Sequence, residues 1–302
     1  MTRAAVLALV ALSACARSAA TEPPAQAAPA PAVSTLATAS VVAPVDASIE
    51  ASAPPAARPS LPLSARTDGP RSIPLTPDRP IFYAQPKEAP ASSAGARPFR
   101  LVAHLHGICH PASYSAGRWL GAAVDVGVLV APTGNAHCGD EHLGPPSWEA
   151  ATWEELVASM DADLERSIAK VEAKHPRSIR RDGAILTGWS RGGFAAPVVA
   201  RMHPGRWPLL VVIEANAPVT AASLRKSGVR AIAWLAGETG TEITGERKTD
   251  AELRAAGFPS RLIVMPGVAH LYPDDMESLM REAFDFVLAH EHDPDKNENG
   301  DR

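Results

Sequence analysis

The stretch Ala184-Ile185-Leu186-Thr187-Gly188-Trp189-Ser190-Arg191-Gly192-Gly193-Phe194-Ala195-Ala196 decides how the rest of the chain is read. Its first four residues form a short, largely apolar run of the kind that makes a buried strand. Gly188, Ser190 and Gly192 follow as a GxSxG phrase, and the small residues after them suit a helix packed closely on that strand. A serine on such a tight turn takes a strained backbone conformation, and the flanking glycines leave room for strand and helix to approach. The turn lifts Ser190 to the edge of a sheet. The helix N-terminus beyond it offers main-chain N–H groups to a developing oxyanion. Ser190 is therefore the candidate nucleophile.

Outward from this turn, apolar runs alternate with helix-like stretches, as in a mainly parallel sheet with helices on both faces. Strands are expected at 99–105, 126–131, 184–187, 209–214, 231–235 and 261–265, each ending at a Gly-, Pro- or Asn-rich turn. Residues 71–86 add a first strand pair. A long helix is expected after Ser147 as its N-cap, with Leu156, Met160, Leu164, Ile168 and Val171 on one stripe. A last helix is expected over 274–290. The fold class is α/β, with a mainly parallel central sheet.

Two further phrases bear on the chemistry. Val102-Ala103-His104-Leu105-His106-Gly107-Ile108-Cys109 puts a His-Gly turn after an early strand, and Leu262-Ile263-Val264-Met265-Pro266-Gly267-Val268-Ala269-His270 puts a histidine on a loop after the last one. With the GxSxG turn, they make residues 99–290 resemble the α/β-hydrolase superfamily, nearest to its small esterase, dienelactone-hydrolase and depolymerase-like members. The resemblance implies that His270 takes the Ser190 proton and later delivers it to the leaving group. It also implies an oxyanion hole made by a main-chain N–H near Gly107 or Ile108 together with that of Arg191, and no cofactor.

The acid of such a triad commonly lies three residues past a glycine after the next strand but one from the serine turn. Here that stretch is Trp234-Leu235-Ala236-Gly237-Glu238-Thr239-Gly240-Thr241-Glu242, and Gly240 holds the acid's place. Glu238 and Glu242 flank the gap. Glu214, at the end of the preceding strand, is a third candidate because some relatives carry the acid there. Glu238 is the favoured expectation.

Cys109 and Cys138 follow strands expected to be neighbours, and in an oxidising compartment the pair is expected to form a disulfide. His104, His106, His110, His137, Asp140 and His142 gather in the same region, yet no HExxH or CxxC spacing accompanies them, and no metal is expected. His106 and His110 are read as lining the pocket mouth, and His104 as hydrogen-bonded within the sheet.

The N-terminus is a different polymer. An apolar run at 4–12, too short to span about 30 Å of hydrocarbon, leads to Leu12-Ser13-Ala14-Cys15, which resembles a bacterial lipobox. That resemblance implies cleavage before Cys15, lipidation of its thiol and a place in the cell envelope, anchored to the membrane. Residues 16–66 are rich in Ala, Pro, Ser and Thr and read as an extended tether, 67–291 as the globular domain, and 292–302 as a polar tail. The chain has 302 residues, and a net charge of −4 with scattered Lys and Arg argues against nucleic acid as a partner. The leading expectation is hydrolysis of a carboxylic ester, or an amide, through an acyl-enzyme on Ser190. The rival is an envelope-tethered binding or scaffold module that kept the fold and lost the chemistry.

Overall fold

In the computed structural model, residues 62–87, 98–139, 144–176 and 178–292 are described. The lipobox with Cys15, nearly all of the expected tether and tail, and Asp140 and His142 lie outside them. Chain order is α1 (Leu63–Arg66), β1 (Arg71–Thr76), β2 (Arg79–Ala84), β3 (Phe99–Leu105), α2 (Ala112–Gly117), α3 (Leu120–Val126), β4 (Gly127–Pro132), β5 (Ala136–His137), β6 (Pro146–Ser147) and α4 (Trp153–Lys174). It continues with β7 (Ile179–Trp189), α5 (Arg191–Met202), β8 (Leu209–Ile213), α6 (Ala221–Lys226), β9 (Ala231–Gly237), α7 (Ile243–Ala255), β10 (Ser260–Met265) and α8 (Met276–Ala289).

Eight strands form one sheet in the order β1-β2-β4-β3-β7-β8-β9-β10. From β4 to β10 every neighbouring pair is parallel, while β1–β2 and β2–β4 are antiparallel. The two-residue periodicity of the strands sorts their side chains between two cores. Leu101, Ala103, Val128, Val130, Leu210, Val212, Ile232 and Trp234 face one core with α4 to α7. Val102, Leu129, Ile185, Val211, Ile213, Ala233 and Leu235 face the other with α2, α3 and α8. Burial on both faces explains why these strands read as nearly continuous apolar runs.

Three boundaries differ from the sequence expectation by more than two residues. Helix α4 is capped by Thr152, whose side chain accepts from the Glu155 N–H at 3.2 Å; Ser147, the expected cap, pairs with Ala136 in the small β5–β6 ribbon instead. Strand β7 starts at Ile179, five residues before the expected 184, because the charged Arg180-Arg181-Asp182 run extends it to a bend at Gly183 (φ +65°) where its register against β3 slips. Helix α1 falls inside the stretch assigned to the tether, and Arg66 ties it to Asp125 and Glu277, both at 3.0 Å.

Candidate active site

Strand β7 ends at Trp189 and α5 begins at Arg191, so Ser190 alone makes the turn, with φ 52° and ψ −119°. Positive φ is costly for any residue but glycine and persists only where surroundings impose it. Here the Ser190 N–H donates to Ile213 O at 2.8 Å, which ties the turn to β8. A Cβ on Gly192 would lie 2.0 Å from Leu105 O, and one on Gly188 would lie 2.2 Å from Gly192 O, so backbone contact dictates both glycines of the GxSxG phrase. The first helical bond past the turn runs from Phe194 N–H to Ser190 O at 3.0 Å; the N–H of Arg191 precedes it and has no acceptor within the helix.

His270 lies on the loop between β10 and α8. Its Nε2 is 2.9 Å from Ser190 Oγ, and its Nδ1 is 3.1 Å from Glu214 Oε2. The arrangement assigns the proton on the ring to Nδ1, donating to Glu214, and leaves Nε2 to accept from the serine. Glu214 is fully buried, and its Oε1 accepts from the Gly237 N–H. The hydrogen bond that the ring donates to Glu214 raises the pKa of His270 above its ordinary 6.5, against an opposing effect of partial burial.

No protein-family model matches the chain, and no curated protein matches it either. Solved structures do. An S-formylglutathione hydrolase from Agrobacterium tumefaciens is similar with a TM-score of 0.51 and 13% identity, over 74% of this chain and 95% of that one. A substrate-bound fluorophosphonate-binding serine hydrolase from Staphylococcus aureus is similar with a TM-score of 0.50 and 12% identity, over 72% and 98%. The chain has the α/β-hydrolase fold.

Within this hydrolase fold the three acid candidates separate cleanly. Glu238, the favoured expectation, is exposed; its Oε2 accepts from the Gly267 N–H at 2.9 Å and so braces the loop that carries His270 without touching the imidazole. Glu242 accepts from the Asn216 N–H at 3.1 Å. Glu214 alone reaches His270. The physical reason lies at Gly240: a Cβ there would stand 3.3 Å from Glu214 Oε2, so the missing side chain leaves the space that the Glu214 carboxylate occupies. What signals Glu214 in the sequence is this empty acid position together with a carboxylate in Ile213-Glu214-Ala215-Asn216, at the end of an otherwise apolar strand.

The His-Gly turn abuts the serine turn. A Cβ on Gly107 would meet the Trp189 ring at 2.8 Å and Ser190 Cβ at 3.1 Å, and Ile108 beside it is exposed. Cys109 is disulfide-bonded to Cys138, as expected, which ties this turn to the loop after β4. His106 corrects the expectation of a pocket-lining residue. It is fully buried, its Nδ1–H donates to Gly107 O at 2.7 Å, and its Nε2 accepts from the Gly134 N–H at 2.8 Å. Burial lowers its pKa to about 4, so the neutral ring staples the two loops together. His104 bonds Thr187 Oγ1 across the sheet at 2.9 Å, and burial lowers its pKa to about 3. His110 is half-buried, edge-on to Trp189 at 4.4 Å. Among the described residues, no group of three or more His, Cys, Asp and Glu is placed to hold a metal ion. Arg191 turns its guanidinium onto Trp148 O at 2.7 Å, and Trp189 packs beneath the site against the His270 ring at 5.5 Å.

Proposed function

We propose that the chain is a serine hydrolase that cleaves carboxylic esters through an acyl-enzyme. The observation that carries this reading is the unbroken hydrogen-bond run from Ser190 Oγ through both ring nitrogens of His270 to Glu214. His270 Nε2 takes the Ser190 proton as Oγ attacks the ester carbonyl, and then gives that proton to the departing alkoxide. Water repeats the sequence on the acyl-enzyme and releases the acid. Glu214 holds the imidazole in the required tautomer and stabilises the imidazolium that forms in each half-reaction. The N–H of Arg191, with one from the Gly107–Ile108 turn, faces the developing oxyanion. Between Glu214 and Val229 stands only the six-residue helix α6 in place of a long apolar lid, which supports small or extended esters as substrates.

The test is turnover of p-nitrophenyl acetate and butyrate by the wild type, Ser190→Ala and His270→Ala, beside fluorophosphonate labelling. Loss of kcat/KM by a factor on the order of 10³ or more in both variants is expected. A folded wild type that neither turns over ester nor takes the label at Ser190 would overturn the reading and favour the scaffold alternative.

A further inference from the structure

Glu214 has φ 53°, a left-handed backbone that a glutamate does not adopt unaided. The next two residues are held from a single source. The Ala215 N–H donates to Glu246 Oε1 at 2.8 Å, and the Asn216 N–H donates to Glu242 Oε2 at 3.1 Å. Glu242 stands at the N-terminus of α7 and Glu246 one turn further on, so both side chains leave the same face of the helix. That face continues through Gly245, where a Cβ would strike the Asn216 amide at 2.1 Å, and through Thr249, whose hydroxyl donates to Asn216 Oδ1 at 3.1 Å. The whole face is thus applied to the strained segment 214–216.

Glu246 is the unusual member. It is fully buried, its Oε1 has only the Ala215 amide, and its Oε2 has no partner among the described residues. The charged groups around it are Glu214 from the end of β8 and Glu242 from its own helix; His270 lies behind Glu214, and Asp250, the next acid on α7, is engaged by Ser260 and Arg254. No lysine or arginine among the described residues bonds it. A buried carboxyl with one donor and two carboxylate neighbours is stable only with its proton on.

We propose that Glu246 is a positioning residue, carried as a neutral carboxylic acid, which with Glu242 clamps the left-handed turn that aims Glu214 at His270. The proposal rests on the hydrolase reading above. Burial and the two neighbouring carboxylates together put the Glu246 pKa at about 8, although the Ala215 amide pulls it down. In mildly alkaline solution Glu246 therefore gains a charge beside Glu214, and repulsion between the two carboxylates opposes the clamp.

The experiment compares the purified full chain with Glu246→Gln and Glu246→Ala by infrared spectroscopy, by proton NMR of the His270 Nδ1–H, and by ester turnover across pH. Glu246→Ala frees the Ala215 amide, and kcat is expected to fall by about 10- to 100-fold with little change in KM and a weakened Nδ1–H resonance. Glu246→Gln keeps the acceptor and is expected to recover most of that loss. It should also retain activity above pH 8, where the wild type declines. The wild type should show a carboxylic C=O band that disappears above about pH 8 and is missing from Glu246→Gln. A Gln variant as impaired as Ala, an Ala variant with wild-type kcat and resonance, or no such band would each overturn the proposal. Infrared detection of the neutral acid needs no turnover, so an inactive chain would refute the hydrolase reading while leaving the protonation of Glu246 decided on its own.

Discussion

Ser190, His270 and Glu214 stand in one hydrogen-bond run, and the roles proposed for them make different predictions. Because the Glu214 bond raises the pKa of His270, the ring loses its proton later in a titration than a free imidazole does. The acid limb of kcat/KM should therefore have its midpoint above pH 6.5 in the wild type. In Glu214→Gln the cause of the raised value is gone; the midpoint should move down and kcat should fall by roughly 10²- to 10⁴-fold. Glu238→Gln, which touches only the Gly267 amide, should leave that midpoint in place. A pH–rate profile on the three proteins decides between them: a midpoint that moves with Glu238 and not with Glu214 would reverse the assignment of the acid. Ser190 and His270 were legible as candidates because each sits in a local phrase, a Gly-flanked turn or loop that follows an apolar strand. Glu214 was only one of three candidates, since reach to an imidazole 56 residues away is a property of loop packing.

At the scale of elements, two devices tie the site to its frame. The disulfide between Cys109 and Cys138 closes a sequence separation of 29 residues, and constraint of the unfolded chain by a loop of that size is worth about 3.5 kcal/mol. Cys138→Ser should lower stability by about that amount in denaturant titrations, and it should impair turnover further by freeing the turn at Gly107. A variant as stable as the wild type would show that the His106 staple and Trp148 hold the loop unaided. The second device is the α7 face. An ordinary glutamate loses its proton near 4.5, whereas Glu246 in the folded chain keeps it to about 8. Between those values the folded state binds one proton more than the unfolded chain, so this group's contribution to stability falls as pH rises through that window. Melting temperatures of Glu246→Gln should accordingly fall less steeply over that range than those of the wild type; parallel curves would contradict a neutral Glu246. Neither the cap of α4 nor the start of β7 was readable in advance. Trp148 is buried and Ser147 is drawn into the β5–β6 ribbon, and the outer end of β7 is charged because it lies beyond the doubly covered part of the sheet.

For the whole molecule, we propose that the chain works as a lipid-anchored hydrolase of the cell envelope, with Cys15 as the lipid acceptor and residues 16–61 as spacer. No helix among the described residues is long and apolar enough to cross a membrane. Expression in a bacterial host fed a labelled fatty acid should label the wild type in the membrane fraction and leave Cys15→Ala unlabelled; equal labelling of both would rule Cys15 out as the acceptor.

By itself the sequence determined the α/β class, the strand order along the chain, the serine turn and the histidine loop. These are local: a continuous apolar run bounded by turn residues, two glycines flanking a serine, and a turn after a strand each leave a mark within about ten residues. Tertiary structure alone decided that Glu214 rather than Glu238 faces His270, that His106 is a buried staple, and that α7 grips the strained segment that carries Glu214. Those outcomes depend on which side chain fills the space left open by Gly240, and on which carboxyl is denied water and counter-charge. Such relations are set by contacts among segments brought together only by the folded sheet.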